Sequence, residues 1–196
     1  MQKGLLIVLS GPSGVGKHTL WTDLLKNKRL NLKYSISMTT RPKRFDEEHG
    51  REYFFVRQAD FQEAIKNKQM LEYATYCNNY YGTPKKYVDD LRQKGINVLL
   101  EIEAQGGLNL IKQFRKSKDP GFITIFILPP STKDLIKRLR LRGTEEKNII
   151  ENRVKQARWE IKQSKYYDYC IVNDNLKKAR DKLKKLLLEK IHENEK

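Results

Sequence analysis

Apolar residues fall into two patterns along the chain. Leu5–Leu9, Ile96–Ile102 and Phe122–Leu128 are apolar runs bounded by turn residues, the first stopped by Ser-Gly-Pro and the last by Pro129 and Pro130. Short runs of this kind predict strands buried on both faces, as in a parallel sheet. Helices are predicted over Lys17–Lys26, Lys85–Gln93, Gln105–Lys116 and from Asn175 to Glu193, the last with Leu176, Ala179, Leu183, Leu186 and Leu187 on one stripe. Tyr169–Val172 reads as one more short strand.

Strands and helices alternating in this order imply an α/β fold with a parallel sheet. Two segments break the alternation. Around 37–84, short strands are predicted at Tyr34–Met38, Glu52–Val56 and Met70–Tyr76 with a helix at Ala59–Asn67, while 41–52 reads as a polar loop and Asn78–Pro84 as a turn. Over 131–165, two polar, Arg-rich helices (Thr132–Arg142 and Glu145–Gln163) meet around Gly143. Neither segment carries enough apolar residues for a core of its own. The expected organisation is therefore one domain: a core of 1–36, 85–130 and 166–196 with inserts at 37–84 and 131–165.

Composition narrows the function classes. The 196 residues carry a net charge of +16, which points to a phosphate-bearing partner, either a nucleic acid or a small polyphosphate. The aromatic residues are not interleaved with the basic ones as a stacking platform for nucleic acid requires, so no nucleic-acid partner is expected. No run approaches the roughly 18 apolar residues of a membrane helix, and no membrane partner is expected. Cys77 and Cys170 are far apart and lack metal-ligand spacing. The chain reads as cytoplasmic.

The strongest motif is Gly11-Pro12-Ser13-Gly14-Val15-Gly16-Lys17, placed between a buried strand and a helix. This is the P-loop pattern. Its backbone N–H groups and the helix dipole cradle phosphate oxygens, and its Lys reaches the β- and γ-phosphates. The pattern asks for Ser or Thr next, to bind Mg²⁺. Here His18 stands there, with Thr19 one place later. Further polar groups follow: Ser37-Met-Thr-Thr-Arg41-Pro-Lys-Arg44, Gly50-Arg-Glu-Tyr53, Glu72, Tyr81-Gly-Thr83, and Glu101-Ile-Glu103-Ala-Gln-Gly at the carboxyl end of a buried strand. In open α/β sheets ligands bind at that edge.

These motifs, with Arg142-Gly-Thr-Glu and Arg153, come in the order and approximate spacing of the guanylate kinase family, which the chain resembles over nearly its whole length. The resemblance implies a three-layer P-loop fold with a small mixed GMP-binding insert and a helical lid. It implies transfer of a phosphoryl group from ATP to GMP or dGMP with Mg²⁺, by a monomer or homodimer. It assigns Gly11–Lys17, His18, Thr19 and Asn173 to ATP. Arg41, Arg44, Tyr53 and Tyr81 go to the GMP phosphate, and Ser37, Glu72 and Thr83 to guanine, with Glu103 nearby. Lys17, Arg41, Arg142 and Arg153 form the positive field of the reaction. No direct protein ligand to the metal is assigned; Glu101 is expected at most beyond its water shell. The family usually has Asp where Glu103 stands. Two competing readings are a non-catalytic binding module of the same fold and a P-loop kinase of another phosphorylated small molecule. The retained Lys17 opposes the first, and the Ser37, Glu72 and Thr83 set opposes the second.

Overall fold

The computed structural model describes residues 2–76, 78–141 and 147–196. Its main sheet is all parallel. It contains β1 (Leu6–Ser10), β2 (Leu32–Tyr34), β7 (Asn97–Glu101), β8 (Phe122–Leu128) and β9 (Tyr169–Val172) in the order β2-β7-β1-β8-β9. The apolar run at the N-terminus thus becomes the central strand, and its alternate side chains feed two cores. Leu5, Ile7 and Leu9 pack with Leu20, Trp21 and Leu24, and with Ala179, Leu183, Leu187 and Ile191 of α7 (Leu176–Asn194). Leu6 and Val8 face the other way, against Val88 and Leu91 of α3 (Lys85–Gln93) and Leu110 and Ile111 of α4 (Ala104–Ser117). Helices on both faces explain why β1 has no polar alternation.

A second, four-stranded sheet carries the segment between β2 and α3. Its strands β3 (Ser37–Thr39), β4 (Tyr53–Phe55), β5 (Met70–Tyr76) and β6 (Asn79–Pro84) run in the order β4-β3-β6-β5, and α2 (Gln58–Lys66) lies between β4 and β5. The β3–β4 pair is parallel and the other two pairs are antiparallel. Between β8 and β9 come two further helices, α5 (Thr132–Leu141) and α6 (Lys147–Gln163).

Three sequence-based expectations are corrected. The strand expected at Tyr34–Met38 is two strands in different sheets: β2 pairs with β7 and β3 with β6, and the chain changes sheet at Ser35–Ile36. The turn expected over Asn78–Pro84 is β6. Its Asn, Gly and Pro residues suggest a turn, but the ladder to β5 and Tyr80 stacked on Phe61 of α2 hold it extended. The helix expected from Lys17 to Lys26 is α-helical only in α1 (Lys17–Trp21) and continues as a 3₁₀ turn at Thr22–Lys26. Arg142 lies outside the described residues, as does the Gly143 junction.

One buried ion pair ties the amino-terminal edge of the main sheet. Arg92 is 1% exposed, donates through Nε to the Gly4 carbonyl at 2.7 Å, and grips Asp119 with both Nη atoms at 2.9 and 3.1 Å. It sits at the opposite end of the strands from the P-loop.

Candidate active site

The P-loop connects β1 to α1, and its glycines answer specific steric demands. Gly16 has φ +93°, and a Cβ there would lie 2.8 Å from Asn173 Nδ2. A Cβ on Gly11 would lie 2.5 Å from the Ile127 carbonyl oxygen of β8. The loop is anchored by Val15, whose side chain is in the core, and by the Asn173 amide, which donates to the Val15 carbonyl at 2.8 Å. Asn173, which the resemblance assigns to ATP, lies just after β9 and supports the loop backbone. Ser13 at the loop's tip accepts a 2.8 Å hydrogen bond from Arg153 of α6.

Lys17 folds back over the loop. Its Nζ donates to the Gly11 carbonyl at 2.7 Å and, at 3.4 Å, to that of Pro12. Glu101 Oε1, at the end of β7, is 4.0 Å from the same nitrogen. Burial lowers the Lys17 pKa from its usual value, while Glu101, Glu160 and Glu103 oppose that shift. His18, expected near the phosphates, is exposed and sets its ring edge-on to Trp21 at 4.7 Å. Thr19 is also exposed.

Beside the P-loop, between the two sheets, opens a cleft of about 340 Å³. Ser37, Tyr53, Glu72, Tyr81 and Glu103 all line it, together with Glu101 and Tyr34. The strand register explains the acidic corner: Glu72 of β5 pairs across the ladder with Thr83 of β6, whose hydroxyl donates to Glu72 Oε1 at 2.6 Å. Burial raises the Glu72 pKa, the Thr83 hydroxyl lowers it, and Glu103 adds to the rise.

Arg41 and Arg44 stand apart from the cleft lining. The Arg41 guanidinium lies 5.6 Å from the Tyr53 ring and 5.7 Å from that of Phe55. Its Nη2 donates to both carboxylate oxygens of Glu47, at 2.7 and 2.9 Å. The Arg44 side chain is exposed, and its backbone N–H donates to Glu47 at 2.9 Å.

Three residues of this region escaped sequence reading. Glu47 and Glu160 look like ordinary members of polar segments, yet both are buried. Glu160 lies two helical turns beyond Arg153 on α6, and burial raises its pKa. A spacing of seven on a helix with Arg at one end was the available signal. Trp21 carried none beyond its helical spacing.

A P-loop at the carboxyl end of the central strand, beside a separate acidic and tyrosine-lined cleft, defines a P-loop kinase of nucleoside monophosphates. Comparison with known proteins narrows this. The family model described as guanylate kinase matches residues 3–190. The chain is 46% identical over 192 residues to the guanylate kinase of Malacoplasma penetrans (strain HF-2), spanning 98% of this chain and 96% of that one. It is also 46% identical over 186 residues to that of Streptococcus mutans serotype c, spanning 95% and 86%. The crystal structure of guanylate kinase from Anaplasma phagocytophilum superposes with a TM-score of 0.70 at 33% identity, covering 95% of this chain and 85% of that one. The chain belongs to the guanylate kinase family.

Proposed function

We propose that the protein transfers the γ-phosphoryl group of ATP to GMP, and to dGMP, yielding ADP and GDP or dGDP. The observation that carries the reading is Glu72 in the cleft with Thr83 donating to one of its oxygens. Guanine presents N1–H and an exocyclic NH₂ side by side, and a carboxylate accepts from both. Adenine offers an unprotonated N1 at that place and meets the carboxylate with repulsion. Ser37 and Glu103 line the same cleft and complete the guanine subsite.

Tyr53 and Tyr81, whose rings meet edge-on at 5.9 Å, and Arg41 beside them take the GMP phosphate, with Arg44 reaching in from the loop. The P-loop amides, Gly11 to Lys17, with His18 and Thr19 at the start of α1, take the ATP phosphates. Asn173 supports that loop beside the adenine. The GMP phosphate is already anionic, so the reaction needs charge neutralisation and alignment more than a strong base. Lys17, Arg41, Arg142 and Arg153 supply the positive field. Segment 37–84 holds GMP, and 131–165 serves as a lid that excludes water.

The acids beside the P-loop suit Mg²⁺ arriving with ATP. The carboxylates of Glu101 and Glu103 are hard oxygen donors near Lys17, and they would hold the ion through its water shell. When bound, Mg²⁺ neutralises phosphate charge. The reading places the enzyme in the cytoplasm, where ATP and GMP meet.

The test is a coupled assay of ATP with GMP, dGMP, AMP, CMP and UMP in turn. GMP and dGMP are expected to turn over. AMP within about tenfold of GMP in kcat/KM would reject the guanine assignment.

A further inference from the structure

We infer that Trp21 is a positioning residue of the phosphoryl-transfer site: its indole N–H anchors the Glu101 carboxylate and so keeps Lys17 available to phosphate. The inference rests on the kinase reading above and adds a residue to it. Trp21 Nε1 donates to Glu101 Oε2 at 2.6 Å, and Glu101 Oε1 stands 4.0 Å from Lys17 Nζ.

The anchor is rigid. Trp21 is 4% exposed, belongs to the core beside β1, and stacks on Tyr34 with ring centroids 4.4 Å apart and planes 5° from parallel. His18 sets its ring edge-on to the indole at 4.7 Å. An indole packed in the core and stacked on a neighbouring ring points its single N–H in one direction.

The distance to Lys17 explains the need. At 4.0 Å, Glu101 offsets part of the cost of burying the ammonium without forming a tight charge-assisted hydrogen bond, which lies at about 2.7–2.9 Å. A Glu side chain has freely turning torsions. With neither oxygen anchored, the carboxylate would swing onto Nζ and compete with the ATP phosphates for the ammonium. Trp21 prevents that capture by occupying Oε2.

The test is a double-mutant cycle on the full chain, read as kcat/KM for ATP at saturating GMP. Trp21→Phe keeps an aromatic ring against Tyr34 and removes the N–H. It is expected to lower kcat/KM by about tenfold, the scale of one lost charged hydrogen bond. Glu101→Gln added to Trp21→Phe removes the competing charge, so the double variant is expected to perform no worse than Glu101→Gln alone. A purely structural role gives no such rescue. Trp21→Phe within twofold of wild type, or losses that multiply in the double variant, would overturn the inference.

Should wild type fail to phosphorylate GMP, the guanine reading falls, and the same cycle run on the ATP dissociation constant still decides the role of Trp21. Should Trp21→Phe fail to fold, the ¹⁵N–¹H indole resonances of wild type and Glu101→Gln decide. One of the two is expected to move on removal of the carboxylate, and two unmoved resonances would refute the anchor.

Discussion

Thr83 donates its hydroxyl to Glu72 Oε1 at 2.6 Å, and this bond orients the carboxylate before any nucleotide arrives. A side chain at Gly106 would crowd the other oxygen, since a Cβ there would stand 3.3 Å from Oε2. Glu72→Gln keeps the shape but replaces one acceptor with a donor. It is expected to raise KM for GMP by about 100-fold, the scale of a charged hydrogen bond turned unfavourable, and to leave KM for ATP nearly unchanged. Steady-state kinetics with each substrate varied in turn check this.

The same carboxylate sets a pH dependence. Its pKa is raised in the folded protein, chiefly by burial. Between the unfolded value and the raised one, the native state holds the extra proton. Stability therefore falls as pH rises through that window, and ionised Glu72 is a cost at neutral pH. Glu72→Gln removes the cost, so its melting temperature relative to wild type is expected to be higher at pH 7 than at pH 4. GMP binding has the opposite sign, because it needs the ionised form. The advantage of wild type over Glu72→Gln in KM for GMP should shrink on acidification, a difference in which titration of the nucleotide phosphate cancels.

Glu47 holds Arg41 with two oxygens, and the Arg44 N–H satisfies one of them as well. An exposed ion pair contributes little, but this one is partly buried, and with Nη1 donating to the Pro42 carbonyl and Nη2 to both Glu47 oxygens it fixes the guanidinium beside Tyr53. Glu47→Ala is expected to raise KM for GMP by about tenfold through loss of that preorganisation, with kcat changing less. Arg41→Ala should raise KM for GMP more than Glu47→Ala does. A Glu47→Ala enzyme with wild-type KM would show that the pair is only structural.

Lys17 and Arg153 reach the P-loop from different elements, one from α1 and one from α6. Both are expected to act mainly on transition-state charge. Lys17→Ala and Arg153→Ala should each lower kcat by roughly 100-fold or more, while circular dichroism and the melting transition stay near wild type. A near-normal kcat for Arg153→Ala would remove α6 from the mechanism.

Arg92 and Asp119 form the opposite case, a buried pair far from the chemistry. Removing one partner strands the other, at a cost of about 3 kcal/mol or more for a fully buried pair. Arg92→Ala also empties the volume of a large, fully buried side chain and loses the bond to the Gly4 carbonyl, whereas Asn at position 119 still offers the guanidinium an acceptor oxygen, which places Asp119→Asn below Arg92→Ala in cost. Denaturant melts should show this order, with kcat/KM for GMP unchanged in both variants at temperatures where they are folded.

The sequence by itself determined the local, short-range features. The runs Leu5–Leu9 and Phe122–Leu128, short and bounded by turn residues, read as doubly covered strands, and the Gly11–Lys17 spacing read as a tight loop, which φ +93° at Gly16 bears out. Most of the stripe on α7 was legible from helical periodicity, with Ala179, Leu183 and Leu187 in the core, but Leu176 is exposed and Ile191 completes the buried face. The tertiary structure alone decided what depends on pairing between distant segments. Tyr34–Met38 reads as one strand because alternation does not record which sheet each half joins. Asn78–Pro84 reads as a turn because local preference does not record the ladder to Met70–Tyr76 that holds Asn79–Pro84 extended. Glu47, Glu160 and Trp21 gain their roles only from neighbours 6, 143 and 80 residues away, at Arg41, Lys17 and Glu101. A polar side chain's meaning lies in its partner, and linear spacing does not record contacts that folding makes across the chain.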